Sequence, residues 1–313
     1  MNNSARLRKS IDRLRPDESL QSIILRLAPF SLATANELLR YALGRPAGLG
    51  LLSTDADAIQ RLAELGGFAL EDMFSRSILR GKYGYIIYRR EVPPEWVTFG
   101  LRRLAPGVLT DDDIPFHRLG WQLNAINCDV TTGEVLIERC PRCVARLRWR
   151  KVATIVTCGE CQLDIRCVSP RYVPPDRLSS ARRLLAFLLR TGPQLPAPFD
   201  KLDDVTTCYA MQWLAYFVTS GPGGKSLRPS CQNAAAGLEE LCSWPDSFDT
   251  FLLEHHRIRG YGHTAQAASL LDKIDRAGNL TLRHILLLRA AETLDDPSLS
   301  AVAAQREGHA NAR

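Results

Sequence analysis

The chain has 313 residues, 45% hydrophobic and 24% charged, the balance of a globular protein with room for two or three domains, which excludes a disordered or fibrous chain. Its net charge of +6 is unevenly placed: residues 1–172 carry 25 Lys+Arg against 19 Asp+Glu, and residues 173–313 carry 15 of each, so the basic half is the one suited to a polyanion. MNNSARLRKS lacks the apolar centre of a signal peptide and no later run reaches membrane-spanning length, so a cytoplasmic protein with no membrane partner is expected.

A mainly α fold is predicted in four segments: a helical region with a helix-turn-helix over 1–110, a zinc ribbon with a small β-hairpin over 111–172, an all-α domain over 173–297 and a flexible tail over 298–313. Pro16, Asp17 and Ser19 punctuate before Leu20, Ile23, Ile24 and Leu27 recur at helical spacing. NELLRYAL follows and stops near Gly44, and 45–50 reads as a Gly/Pro loop. Thr54 and Asp57 resemble a capping box opening DADAIQRLAEL, which stops at Gly66–Gly67 before ALEDMFSRSIL. Two short helices around a glycine turn suit a helix-turn-helix, with Arg76, Arg80 and Lys82 as nucleic-acid candidates, or a plain helical hairpin. Residues 83–135 are irregular, and their aromatics, Trp121 and Phe116 among them, read as a small core. Beyond Pro174–Pro175, five segments with apolar stripes from LSSARRLLAFLLR to LTLRHILLLRAAETL predict successive helices.

Nine cysteines in a reducing compartment direct attention to metal binding. Cys140, Cys143, Cys158 and Cys161 form two Cys-x-x-Cys knuckles separated by 14 residues, the spacing of one tetrahedral zinc with four thiolates. A closed sulfur shell leaves no coordination position for water, so one structural Zn2+ and no catalytic zinc is expected. The β-branched segment 147–157 suggests a hairpin between the knuckles. Arg142, Arg146, Arg148, Arg150 and Lys151 would line it, and Arg146, Arg148 and Arg150, two residues apart, fall on one face at strand spacing. That face suits phosphate or an acidic protein surface, or is simply solvated. Cys128 and Cys167 lie near the ribbon but lack a partner knuckle, and Cys208, Cys231 and Cys242 stand singly in the helical half and read as small buried apolar residues.

No catalytic constellation emerges. GPGGKS at 221–226 lacks the full phosphate-loop spacing, His255 and His256 are adjacent on a helix, and Asp111–Asp113 is a single acidic run.

Three stretches together resemble the TniQ family of transposition proteins: RPDESLQSIILRLA near the start, PFHRLGWQLNAINCDVTTGEVLIERCPRC in the centre and GLEELCSWPDSFDTFLL in the helical half. One departure concerns an upstream zinc knuckle: only Cys128 remains of it, and Thr132 precedes Gly133 where the family has histidine. Packed aromatics are expected in its place. The resemblance implies a non-enzymatic adaptor for target-site selection. It would link DNA, or a DNA/RNA-protein targeting complex such as an RNA-guided CRISPR effector, to an AAA+ transposition regulator and a transposase, and a homodimer is compatible with it. The rival readings are a stand-alone sequence-specific DNA-binding regulator with Arg76 and Arg80 at base edges, and a nuclease or hydrolase with an unrecognised site.

Overall fold

A computed structural model describes residues 14–28, 34–44, 49, 54–149, 152–220, 230–259, 274, 279–296 and 299. Arg150, Lys151, the 221–226 loop, His263 and the side chains of His255 and His256 lie outside the described residues, as does the tail apart from Leu299. The protein is mainly helical, with one small antiparallel sheet, and divides into two compact units, Met1–Gly192 and Pro193–Arg313.

The first unit opens with α1 (Leu20–Leu27), whose Ser19 hydroxyl accepts from the Ser22 amide. Helix α2 (Ala35–Leu43) starts at a capping box in which Thr34 and Glu37 bond each other's amides, and ends at Gly44 in the left-handed conformation. The cap of α3 (Ala56–Gly66) is Asp55, which accepts from the Ala58 amide, so the cap lies one residue after the Thr54 expected from the sequence. Helix α4 (Leu70–Ser75) is only six residues long; the chain then leaves the helix and enters β1 (Leu79–Arg80), β2 (Tyr85–Ile87) and β3 (Arg90–Val92), paired in that order. The periodicity of ALEDMFSRSIL extends past the helix because buried Ile78 continues the apolar pattern within an extended segment.

Residues 93–172 contain α5 (Pro106–Asp111) and otherwise irregular chain. Buried polar groups shape it. The carboxylate of Glu134 caps α5 by accepting from the amides of Gly107 and Val108 at 2.8 and 2.9 Å. Buried Glu18 takes the guanidinium of Arg26 at 2.6 Å and the hydroxyl of Ser22 at 2.7 Å. The expected aromatic core is present: Trp121 is buried, Phe116 half-buried, and the His117 ring meets the edges of Trp121 and Trp149 at centroid distances of 5.4 and 4.8 Å. Burial, then the charges of Arg102, Arg118 and Arg103, hold the His117 pKa well below its ordinary value, so the ring is neutral.

Helix α6 (Pro175–Leu188) packs within this unit, and the break falls at Gly192, twenty residues beyond the boundary at 172/173 expected from the paired prolines. Arg182 donates to the carbonyls of Val130 and Thr131, Arg90 donates to the carbonyl of Phe187 and covers its ring, and Leu178 lies against Gly133. These contacts fasten the helix to the ribbon side of the division, where proline composition alone placed a linker.

The second unit is helical: α7 (Asp204–Ser220), α8 (Ala234–Cys242), α9 (Asp246–Arg259) and α10 (Leu280–Leu294). Almost every residue from Val205 to Phe217 is buried, so α7 is the central helix of the unit. Trp213, Phe217, Phe248 and Phe251 pack around it with Trp244 and Phe199. Among the described residues no helix is long and apolar enough to cross a membrane.

Helix α8 approaches α7 through Gly237, where an added Cβ would fall 1.7 Å from the Met211 carbonyl oxygen. Glycine to alanine in an exposed helix stabilises by about 1 kcal/mol. Here the sign reverses: Gly237→Ala is expected to destabilise the second unit by about 2 kcal/mol or more, read as a lower urea midpoint.

Candidate metal centre

Cys140 and Cys158 sit in the same apolar cluster as Leu147, Trp149, Ile155, Ile165 and the inward residues of α1, α2 and α3. Each begins a tight turn. The Cys140 amide donates to the Ala145 carbonyl and the Val144 amide to the Cys140 carbonyl, both at 2.9 Å. Eighteen residues on, the Cys158 amide donates to Leu163 at 2.9 Å and the Gln162 amide to Cys158 at 3.0 Å. Val144 and Gln162 both have a φ of 59°, and the bridges Arg139 to Arg146 and Thr157 to Asp164 close the two turns in equivalent register. The same backbone device is built twice, once for each Cys-x-x-Cys.

The four Sγ atoms lie within 4.8 Å of one another, with Cys140 and Cys161 at 3.6 Å and Cys143 and Cys158 at 3.7 Å. Four sulfurs around a tetrahedral zinc at 2.3 Å would stand about 3.8 Å apart, so spacing and donor chemistry both fit the ion. The protons are unevenly held: burial opposes ionisation of Cys158, but the amides of Cys161 and Glu160 and the neighbouring thiols draw it down to about 7. The Ala145 amide favours a thiolate at Cys143, yet desolvation and its hydrogen bonds to the other three thiols push it up to about 12. Cys128, Cys167 and His117 do not belong to this cluster; Cys128 is buried in a bridge to Val135 and Cys167 is exposed in a 3-10 turn.

The single hairpin expected across 147–157 is not what joins the knuckles. Among the described residues the Leu147 amide instead donates to the Glu138 carbonyl and Arg148 bridges to Leu101, while Thr154, Ile155 and Thr157 turn their carbonyls toward a side chain. That side chain is Arg102, fully buried, whose guanidinium donates to Thr154, Ile155 and Thr157 at 2.8, 2.9 and 2.6 Å. Burial lowers its pKa to about 10, with the charge of Cys158 acting the other way, so it remains a cation at neutral pH beside the sulfurs. Arg103 performs the same task on the other side: it donates to the carbonyls of Leu123 and Ile126 at 2.6 and 2.8 Å and pairs with Glu138 at 3.0 Å. Neither arginine was singled out in the sequence. The available signal was a cationic pair embedded in the apolar run Leu101 to Leu109.

The other candidate cations are dispersed. Arg142, Arg146 and Arg148 are exposed around the first knuckle, Leu147 and Trp149 alternate inward, and none of the three makes an ion pair with a described residue. Arg139 faces Arg146 directly across the bridge, a like-charge register that costs a few tenths of a kcal/mol. Arg76 is half-buried at the end of α4 and is held by Asp72 and by the Arg15 carbonyl. Arg80 lies in β1, and Lys82 is exposed in the following turn over the ring of Tyr83. The exposed residues of α4 include Glu71 and Asp72. The chain matches no protein-family model and no curated protein sequence.

Removing the metal, or replacing Cys140 with Ser, is expected to unfold the 93–172 region and to lower the thermal midpoint of the first unit, followed by circular dichroism and tryptophan fluorescence. Arg102→Met leaves three inward carbonyls without their donor and is expected to cost about 3 kcal/mol or more in urea denaturation. The same variant should release metal faster to a chromogenic chelator.

Proposed function

We propose that this chain is a non-enzymatic adaptor in transposition target-site selection, of the kind the TniQ-like motifs imply. Zinc at Cys140, Cys143, Cys158 and Cys161 fixes the centre, and an AAA+ regulator and a transposase carry out the chemistry. The observation that carries the reading is the four-thiol cluster, with Arg142, Arg146 and Arg148 exposed around its first knuckle and without an ion-pair partner among the described residues. Four sulfurs leave the ion no position for a reacting water, so the metal serves as a staple. The arginines are disposed to contact phosphate, in DNA or in the nucleic acid of an RNA-guided targeting complex.

The motif residues that suggest the family hold structural posts that fit a shared fold. Trp121 donates its indole N–H to Asp129 at 3.0 Å, Gly133 adopts a φ of 80°, and Trp244 packs between Phe199 and Phe248. In this reading the nucleic-acid face is the first knuckle, because Arg76 is engaged by Asp72 and the Arg15 carbonyl and α4 presents carboxylates.

Co-purification with an AAA+ transposition regulator and a transposase tests the adaptor role directly. The triple variant Arg142→Ala, Arg146→Ala and Arg148→Ala should keep one equivalent of zinc and the wild-type thermal midpoint. It should weaken nucleic-acid binding for all sequences alike, reducing the salt slope by about one per arginine. Tight binding to one DNA sequence with no protein partner, unaffected by the triple variant, would favour the stand-alone regulator. Metal-dependent DNA cleavage abolished by a single carboxylate substitution would identify an enzyme.

A further inference from the structure

A cavity of about 270 Å³ opens in the first unit beside the Pro16–Asp17 turn. Its walls are apolar, formed by Phe116, Trp121, Ile126 and Leu185, and two carboxylates, Asp17 and Asp129, reach it. Asp129 is saturated: the Trp121 indole donates to one oxygen, and the amides of Thr131 and Thr132 and the Thr132 hydroxyl donate to the other. Asp17 is not. The Tyr88 hydroxyl donates to its Oδ1 at 2.5 Å, but among the described residues Oδ2 has only the distant Gly120 amide at 3.4 Å. Among the described residues lining the cavity, Arg118 is the one cation, and both its terminal nitrogens are engaged by Asp112 at 2.7 Å.

Asp17 is exposed at the mouth of the cavity, and among the described residues no cation pairs with its Oδ2. Desolvation by the packed groups around it pushes the Asp17 carboxyl up to about 6, with Asp129 adding to the rise, against the opposing hydrogen bonds of Tyr88 and Gly120 and the charge of Arg118. The backbone that holds it there is costly as well. Asp17, Tyr88 and Arg89 have φ values of 56°, 52° and 67°, and the two-residue β2–β3 turn places Tyr and Arg where Asn-Gly is the ordinary solution. Each such residue costs about 1 to 2 kcal/mol, and strain of this kind persists only where surrounding contacts enforce it.

We propose that this cavity binds an organic cation: a guanidinium or ammonium head at Asp17 Oδ2, with a short apolar stem against Trp121, Ile126 and Leu185. The head supplies the missing counter-charge and the stem replaces water on the apolar wall. This site is separate from the zinc centre and does not depend on the adaptor reading.

Calorimetric titration of the full zinc-bearing chain at pH 7.5 tests it, with n-butylguanidine, N-acetyl-argininamide and n-pentanol as probes. Saturable one-to-one binding of n-butylguanidine is expected, at least about ten-fold tighter than that of pentanol and weakened about ten-fold or more by Asp17→Asn. Leu185→Trp fills the cavity from α6 and should abolish binding while leaving zinc content unchanged, which decides the matter if the Asp17 variant misfolds. Binding of both cations identifies a basic side chain of a partner protein as the occupant; binding of n-butylguanidine alone identifies a small free cation. Equal affinity for pentanol, no saturation by about 10 mM n-butylguanidine, or wild-type affinity in a folded Asp17→Asn would overturn the assignment.

Discussion

The irregular centre of the first unit depends on two neighbouring buried guanidiniums. Chain that forms neither helix nor sheet leaves its carbonyls without partners, and a buried carbonyl without a donor costs about 1 to 3 kcal/mol. Arg102 and Arg103 stand back to back and answer that demand in opposite directions, Arg102 toward the segment 154–157 leading into the second knuckle and Arg103 toward the 121–126 turn. A side chain with five donors in a rigid fork can gather several carbonyls at once, which no apolar residue of similar size could do. The backbone on either side of Arg103 also ties the centre together: the Arg102 amide donates to the Leu147 carbonyl, near the first knuckle, and Leu104 pairs with Ile137.

The cysteine site follows from that arrangement. Each knuckle is a self-contained turn closed by its own short-range bonds, but bringing the two turns together requires the segment between them to be held in a conformation with no ladder of its own. Arg102 holds it. Cys140 and Cys158 belong to the apolar cluster that also buries α1, α2 and α3, and Cys161 packs against it, so the centre is continuous with the helical core while Cys143 stays exposed. Its outward side differs in character, because the chain places Arg139 and Arg146 opposite one another and gives Arg142, Arg146 and Arg148 no carboxylate partner among the described residues.

A second concentration of unusual conformations lies at Asp17, Tyr88, Arg89 and Arg190, all non-glycine residues in the left-handed region. They are linked in series, with Tyr88 bonded to Asp17 and the Arg190 guanidinium bonded to the Arg89 carbonyl. The contacts bind the amino-terminal turn, the small sheet and the end of α6 to one another. Their alignment beside a cavity with an unmatched carboxylate gives that region a chemistry distinct from the metal centre.

The sequence by itself determined the local features: the existence and order of the helices, several of whose ends are fixed within a residue or two by periodicity and stop signals although the one begun at Leu70 stops four residues short, and the four-cysteine set, because metal-ligand spacing within a tight turn is a short-range property. Gly44 ending α2 and the asparagine-capped LTLRHILLLRAAETL helix were legible for the same reason. Only the tertiary structure decided what depends on contacts distant along the chain. The side-chain role of Arg102 spans more than fifty residues. The engagement of Arg76 with the Arg15 carbonyl spans 61, and the meeting of Asp17 with Tyr88 spans 71. The attachment of α6 to the first unit is of the same kind, since composition marks prolines but cannot say which surface a helix beyond them will cover. Charge on an arginine is written in the sequence; whether that charge faces solvent or gathers buried carbonyls is set by the chain that surrounds it.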